Sequence, residues 1–338
     1  MRVYICGVRG STPASGLEFC RYGGHTASIA IGDADGPPRL IIDAGTGIRQ
    51  VTDLLRGQPF RGSILLSHLH WDHLQGLPFF SAGDRPDARV DVYVPQQPGA
   101  AADNLADMMA PPHFPITPAD LHGQWTFTHI AEGTREIDGF VVTAREIPHK
   151  GGRTFGYRVE NGSGAAVYLS DHGPIELGAG PAGFGPYHEA ALTLADRADL
   201  LIHDAQYVEE EWPMRSHFGH STDSYAIGLA KEAGVRRLLM FHHEPTRTDD
   251  TLDAMAAEWA KEEAVEVIPA REGTMFDVPD GVLAPGSLQP AGAARLARRP
   301  SRVCDEGGNA GLRRRVGIHP SHRAPGEEGQ SRQSPPSV

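Results

Sequence analysis

The chain has 338 residues, 40% hydrophobic and 22% charged, a mixture that supports a buried core and argues against a disordered, collagen-like or membrane-embedded protein. At about 150 residues per domain, this length allows two domains. The formal net charge of -12 argues against broad binding to nucleic acid or anionic lipid, because phosphates are neutralised by clustered Lys and Arg. The charge is uneven: residues 285–338 carry nine Arg against four Asp and Glu, a net of +5, which leaves -17 for residues 1–284.

Short apolar and β-branched runs alternate with glycine and aspartate turns and predict strands. In chain order these runs are residues 3–6, 28–31, 40–43, 64–67, 90–94, 140–147, 155–159, 167–170, 200–203, 238–242 and 265–268. Helical patterns cover residues 48–55, 101–109, 187–196 and 250–263. The clearest helix begins at Ser221 or Thr222, either of which is a good N-cap, and stops at Gly234.

The periodic pattern ends after Val282, where Gly, Pro, Ser and Arg dominate. We therefore expect a catalytic domain over residues 1–282 and a disordered tail over residues 283–338.

The cysteines and the N-terminal sequence indicate the cellular location. The three cysteines, Cys6, Cys20 and Cys304, are widely spaced, so neither a disulfide framework nor a thiolate zinc site is indicated. The N-terminus becomes glycine-rich before a signal-peptide apolar region develops, and no apolar run approaches the roughly 18 residues that cross a bilayer. We expect a cytoplasmic protein without a membrane partner.

Histidine is unusually frequent, with 17 residues, and imidazole is a common metal ligand. His68, His70, Asp72 and His73 follow an apolar run with the spacing H-x-H-x-D-H. A single histidine here would be read as a surface or core residue, but four such groups within six residues argue against chance. They are too many for one tetrahedral zinc and suit two neighbouring ions.

Three further polar residues come directly after predicted strands. These are His149, Asp171 and His242. Several strand ends that carry metal-binding side chains indicate one site on loops above a rigid scaffold.

Together these residues resemble the metallo-β-lactamase superfamily over about residues 1–280. The segments GVRGSTP (7–13), YGGHT (22–26), IIDAGTG (41–47), FGYR (155–158) and GHST (219–222) resemble its phosphodiesterase branch. That branch includes the phosphoribosyl 1,2-cyclic phosphate phosphodiesterase and the tRNA 3′-processing endonuclease. The resemblance implies an α/β fold, a four-layer αββα sandwich.

The resemblance also implies a ligand set for two divalent ions, with zinc expected and manganese compatible with the same ligands. The first ion would be held by His68, His70 and His149, the second by Asp72, His73 and His242, and Asp171 would bridge both. His242 is preferred to His243 because it is the first polar residue after the strand and stands three residues before Pro245.

Such an ion pair lowers the pKa of a shared water, so that a bridging hydroxide can attack a phosphodiester. Asp72 is expected to orient it as well as to bind metal. His220, immediately before the clearest helix, is expected to protonate the leaving group, and Asp204 to be its acidic partner. The alternative is that His220 only enters the helix and Asp204 only ends a strand.

The expected function is a metal-dependent hydrolase of a small cyclic or compact phosphodiester, with a homodimer left open and nucleic acid not expected as a partner. One alternative is the tRNA 3′-processing endonuclease, disfavoured by the -17 charge and by the lack of an inserted glycine-rich basic arm. Others are a lactone, lactam or thioester hydrolase on the same metal site and a metal-stabilised binding protein.

Two more residue groups were open to a substrate role. Residues 7–13 either wrap a phosphate with backbone N–H groups or form a simple turn. Arg158 either faces a substrate phosphate or ends a strand as a surface charge.

Overall fold

Two seven-stranded sheets form the centre of the protein in a computed structural model, which describes residues 1–173 and 186–279. The predicted tail, residues 283–338, lies outside the described residues. Contacts divide the chain into two units, Met1–Ala293 and Ala294–Val338, and every described residue belongs to the first. The division into a catalytic domain and a disordered tail stays a prediction.

The first sheet has the order β14-β1-β2-β3-β4-β5-β6. Its strands are β1 Arg2–Gly7, β2 Ser28–Gly32, β3 Pro38–Ile42, β4 Arg61–Leu65, β5 Arg89–Pro95, β6 Gln124–Ile130 and β14 Met275–Asp277. Strands β14, β1, β2 and β3 pair antiparallel, whereas β3 to β6 are parallel.

The second sheet has the order β13-β12-β11-β10-β9-β8-β7. Its strands are β7 Gly133–Ile137, β8 Phe140–Ile147, β9 Thr154–Glu160, β10 Ala165–Leu169, β11 Leu200–Asp204, β12 Arg237–Phe241 and β13 Glu266–Pro269. Strands β7 to β10 are antiparallel and β10 to β13 are parallel. Strands β8, β10, β11 and β12 therefore run in one direction, and their carboxyl ends meet at one edge.

Helices cover the outer faces of both sheets, with one exception. The helices are α1 Arg49–Leu54, α2 Ala101–Ala106, α3 Pro186–Ala195, α4 Trp212–Arg215, α5 Asp223–Glu232 and α6 Asp249–Trp259. The exception is the short α4, which lies in the loop between β11 and α5. One apolar cluster lies between the sheets, a second packs α1 and α2 on the first sheet, and a third packs α3, α5 and α6 on the second. The predicted four-layer αββα sandwich is confirmed. None of the helices in the described residues is long and apolar enough to cross a membrane.

The sequence prediction missed β6, β7 and β14, which all lie at sheet edges. Edge strands bury few side chains, so β6 keeps polar residues along most of its length and gives no apolar run. Helix α5 starts as expected, because the Thr222 hydroxyl accepts a hydrogen bond from the Tyr225 N–H at 3.2 Å. Helices α2 and α6 end three and four residues earlier than predicted.

Glu272 ties the segment before β14 to the loop before β2. Its carboxylate accepts hydrogen bonds from the His25 N–H at 2.6 Å and from Gln50 Nε2 at 2.8 Å. Burial raises the pKa of Glu272 from 4.5 to about 7 even though both hydrogen bonds favour the charged form. The native state therefore binds this proton more tightly than the unfolded state does.

We predict a pH-dependent contribution of Glu272 to stability. Because its pKa is raised on folding, the contribution is fully present below pH 4.5 and is lost as the pH rises through about 7. The free energy of unfolding of wild type, measured relative to Glu272→Gln by urea titration, should fall by up to about 3 kcal/mol over that range. The exposed Glu258→Gln serves as the control and should show no such trend; a flat difference for Glu272→Gln would contradict the raised pKa.

Candidate metal centre

The strand β4 ends beneath the loop that carries the H-x-H-x-D-H motif. His68 and His73 are buried, and Asp72 and His73 lie in a 3₁₀ turn, Trp71–His73. The turn brings Asp72 and His73 inward while Trp71 points to solvent with 74% of its surface exposed. This short turn therefore buries Asp72 and His73 and leaves their neighbour Trp71 exposed.

The remaining predicted ligands come from the second sheet. His149 follows β8, Asp171 follows β10 and His242 follows β12. Asp171 and His242 have φ values of 58° and 59°, a left-handed conformation that is uncommon for residues other than glycine. The chain turns sharply at these strand ends, which places both side chains in the space above the sheet edge.

One group of side-chain donors contains His68, His70, His149 and Asp171, with ligand atoms within 4.8 Å of one another. His70 Nδ1 lies 3.2 Å from His149 Nε2. Asp171 Oδ2 lies 3.5 Å from His68 Nε2 and 3.5 Å from His149 Nε2. Donors about 2.0 Å from a tetrahedral zinc are separated by about 3.3 Å, so these spacings suit one ion.

A second group contains Asp72, His73, His242 and the same Asp171. Asp171 Oδ1 lies 3.0 Å from His73 Nε2 and 3.0 Å from His242 Nε2. Asp72 Oδ2 lies 3.2 Å and 3.1 Å from the same two nitrogens. The two oxygens of Asp171 therefore face different donor groups, the geometry of a bridging carboxylate.

Whether these residues fit metal ions can be judged from their hydrogen bonds. His68 Nε2 and His73 Nε2 are buried and make no hydrogen bond of acceptable geometry within the described residues, although Asp171 Oδ1 is 3.0 Å from His73 Nε2. The ligand atoms of each donor group lie within 4.8 Å of one another. Buried polar atoms of this kind require another partner, and a divalent cation fits this donor set.

Four of the imidazoles also contact a protein group through Nδ1, the ring nitrogen that faces away from the donor cluster. The Nδ1 atoms of His68, His73, His149 and His242 contact, in that order, Ser67 Oγ, Asp43 Oδ2, the Gly219 carbonyl and Gln206 Oε1, at 2.7 to 3.0 Å. A proton on Nδ1 leaves the Nε2 lone pair directed at the centre. Such partners orient metal-binding histidines and fix their tautomer.

Burial and neighbouring charge set the protonation of the cluster. Burial lowers the pKa of His149 to about 4 and holds the pKa of His68 well below its ordinary range. Burial also lowers the pKa of His73, but three nearby carboxylates, led by Asp171, outweigh it and raise that pKa well above the ordinary value. The acidic groups thus favour positive charge at their centre, as a metal ion would supply.

His220 and Asp204 lie beside this cluster. His220 Nδ1 is 2.7 Å from Asp204 Oδ2 and 3.9 Å from Asp171 Oδ2. Both residues also fall within a third donor group with Asp171 and His242. We interpret them as a hydrogen-bonded pair and not as a third ion site, because Asp204 Oδ1 already accepts the Gln206 N–H at 3.0 Å.

Comparison with known proteins agrees with this geometry. A family model described as "Beta-lactamase superfamily domain" matches residues 38–243. The chain belongs to the β-lactamase superfamily.

A Ribonuclease Z from Bacillus licheniformis is 28% identical over 223 residues, which is 53% of this chain and 69% of the relative. Among solved structures, the metallo-β-lactamase fold protein YhfI from Bacillus subtilis aligns with a TM-score of 0.60 and 18% identity, covering 82% of this chain and 99% of that one. The short form of human tRNase Z aligns with a TM-score of 0.56 and 19% identity, covering 82% and 100%.

Within the β-lactamase superfamily, these relatives support the phosphodiesterase branch that the motifs indicate. The protein is a hydrolase of the metallo-β-lactamase fold, and its His and Asp cluster suits divalent metal ions. The solved structures support the fold alone, and the individual residue assignments remain predictions.

The described contacts bear on two alternatives that the sequence left open. His243 Nε2 contacts the Ala270 carbonyl at 2.8 Å and points away from the cluster, whereas His242 points into it. Arg158 binds the carbonyls of Leu194 and Asp196 at the end of α3, so it does not face the site.

The backbone of residues 7–13 serves the fold and does not wrap a phosphate. The Ser11 N–H donates to Asp72 Oδ2 at 2.7 Å, and the Gly10 N–H donates to the His243 carbonyl at 3.0 Å. The glycine-rich loop thus positions a predicted metal ligand.

Asp43 is the site residue that sequence reasoning missed. Its buried carboxylate accepts hydrogen bonds from Ser67, His73 and Tyr168, each at 2.7 Å. Like Asp171, it follows a strand and has positive φ, here 61°. In the sequence Asp43 directly follows an apolar run, as His149, Asp171 and His242 do, but a lone aspartate at such a place also reads as a turn residue.

We predict that the purified protein holds about two divalent ions per chain, measurable by inductively coupled plasma mass spectrometry. His68→Ala should lower this content, because it removes one buried donor from the first group. Chelation should lower the free energy of unfolding by about 5 kcal/mol, about 2.7 kcal/mol for each of the two sites, relative to protein with free metal at 100 times Kd. The exposed His122→Ala is the matched control. A protein that is purified without metal, and whose free energy of unfolding does not change with chelator, would contradict the two-ion site.

Proposed function

We propose that the protein is a metal-dependent phosphodiesterase that hydrolyses a small cyclic or compact phosphodiester. The observation that carries the proposal is the His220–Asp204 pair at 2.7 Å beside the donor cluster. Departure of an alkoxide from phosphorus requires a proton, and a carboxylate-supported imidazole is a suitable source. Opening of a thioester makes a weaker demand on such a donor, because a thiolate can leave without a proton.

The residues assigned to metal would be His68, His70 and His149 at one position and Asp72, His73 and His242 at the other, with Asp171 between them. When bound, two such ions supply positive charge to a phosphoryl oxygen and lower the pKa of water. The Ser11 N–H holds Asp72 in the orientation this arrangement needs.

His220 is prepared for proton donation by its surroundings. Burial lowers its pKa, but the Asp204 carboxylate outweighs burial and the pKa is raised. The Nδ1 proton is directed to Asp204, so Nε2 is the nitrogen that can donate to a leaving oxygen. The Tyr207 ring packs edge-on against His220 with centroids 5.9 Å apart and limits rotation of the imidazole.

We predict that His220→Ala lowers kcat by about 10² to 10⁴ for a diester with an alkoxide leaving group. The loss should be much smaller for bis(p-nitrophenyl) phosphate, because p-nitrophenolate leaves without a proton. Asp204→Asn should show the same leaving-group pattern in weaker form. Metal content should stay at the wild-type level in both variants, and His122→Ala, at an exposed histidine, is the matched control.

Equal losses on both substrates would argue against proton donation by His220. Opening of a lactone by a protein that leaves both diesters intact would contradict the phosphodiesterase proposal itself.

A second candidate is tRNA 3′-end processing, favoured by the relatives named Ribonuclease Z. The charge of -17 over residues 1–284 weakens it, since tRNA binding depends on clustered positive charge. The Arg-rich segment 285–338 is the part of the sequence that supplies a positive net charge.

We predict that precursor tRNA is cleaved poorly compared with a compact diester, and that removal of residues 285–338 leaves hydrolysis of the compact diester unchanged. Gel assays of a precursor tRNA, with full-length and truncated protein, measure both. Efficient tRNA cleavage that is lost on truncation would reverse the ranking of the two candidates.

A further inference from the structure

Two large aromatic side chains lie exposed in the pocket of the candidate metal centre. Trp71 is 74% exposed and Phe218 is 46% exposed. Both line a pocket of about 610 Å³ whose wall includes His70, His149 and His220. Large apolar side chains that share one concave site mark a binding surface more often than scattered ones do.

The position of Trp71 follows from the motif. Its neighbours His70 and Asp72 both belong to donor groups, and the 3₁₀ turn leaves the indole outside. Within the described residues, no aromatic ring stacks on the Trp71 indole. Its apolar face is therefore available to a ligand at the mouth of the pocket.

A cation completes the same pocket. The Arg215 guanidinium carbon lies 6.0 Å from the centroid of the Tyr207 ring, and no carboxylate of the described chain lies within 4.0 Å of its nitrogens. The Glu244 carboxylate also lines the pocket, but it accepts hydrogen bonds from the Thr246 N–H and hydroxyl. Arg215 thus keeps donors for an anionic group of a ligand.

We propose that Trp71 and Phe218 form a nucleobase subsite, with Arg215 beside it for a phosphate oxygen, so that the substrate class is a nucleotide phosphodiester. The inference rests on the proposed phosphodiesterase function and narrows its substrate. A base has a flat π-face that stacks on exposed aromatic side chains, whatever its sequence. A sugar phosphate without a base would leave both aromatic surfaces in water.

The first test measures binding to the metal-loaded, full-length protein, by isothermal titration calorimetry. Wild type should bind adenosine 5′-monophosphate about tenfold or more tightly than ribose 5-phosphate. Trp71→Ala should weaken adenosine 5′-monophosphate binding about 5- to 150-fold and leave ribose 5-phosphate binding unchanged. Trp71→Phe should retain most of the affinity, and Phe218→Ala should act in the same direction as Trp71→Ala.

Two variants make the test specific. Arg215→Gln should weaken binding of both ligands, because both carry phosphate. Phe79→Ala is the matched control, since Phe79 is also 54% exposed but lines a different pocket with Phe114. It should change neither affinity. Equal wild-type affinity for the two ligands, or an equal loss of both in Trp71→Ala, would overturn the subsite.

A turnover measurement separates this inference from the proposed function. A nucleoside 2′,3′-cyclic monophosphate should show a kcat/KM about tenfold or more above that of glycerol 1,2-cyclic phosphate, with the difference lost in Trp71→Ala through KM. If neither diester is hydrolysed while the base preference in binding persists, the phosphodiesterase function fails and the subsite stands. If both are hydrolysed equally and binding shows no base preference, the function stands and the subsite fails.

Discussion

The carboxylate of Asp171, buried between two sets of imidazoles, is the constraint on which the rest of the site depends. A carboxylate in this position has lost most of its hydration and needs compensating positive charge. Both of its oxygens lie 3.0 to 3.5 Å from imidazole nitrogens that are themselves fixed from behind. Lone pairs of histidine nitrogens and aspartate oxygens thus face one another in each donor group. This arrangement is unfavourable unless a cation lies between them.

The two sheets explain how this arrangement is maintained. Strand β4 of the first sheet and strands β8, β10 and β12 of the second deliver their carboxyl ends to one edge of the sandwich. The apolar cluster between the sheets locks their separation, so that the loops above it have little freedom. Asp43, which ends β3, reinforces this join because it binds Tyr168 of the second sheet as well as Ser67 and His73.

The pocket at this edge has two parts of different chemical character. The deep part of the pocket is polar, and its imidazoles donate hydrogen bonds to the protein, from His220 Nδ1 to Asp204 Oδ2 and from His242 Nδ1 to Gln206 Oε1. Its mouth is apolar and basic, with Trp71, Phe218 and Arg215. Under the proposed function, a small phosphodiester with a flat, apolar extension would match both parts, and a substrate that is only polar would match the deep part alone.

Much of the fold was predictable because buried strands read as continuous apolar runs, and all eleven of those runs and the cap of α5 lie close to where the structure has them. Edge strands β6, β7 and β14 were not predictable, since their exposed faces carry no such pattern. The H-x-H-x-D-H motif and the polar residues after β8, β10 and β12 were also predictable, because each directly follows the apolar run of a buried strand. Asp43 was passed over because a lone aspartate after a strand is indistinguishable from a turn residue.

The sequence by itself determined the strands, the best-capped helix and the histidine-rich motif, because local patterning and motif spacing are properties of neighbouring residues. The four-layer fold and the set of candidate ligands followed from the resemblance that these motifs carry. Only the tertiary structure decided that His242 and not His243 enters the cluster, that Arg158 holds α3, and that the loop at residues 7–13 holds Asp72. Each of these outcomes depends on which side of a strand end a side chain leaves and on what a distant segment offers it. The hydrogen bonds of His243, of Arg158 and of that loop to Asp72 join residues 27 to 61 positions apart. Such contacts leave no trace in local sequence and are set only when the chain folds.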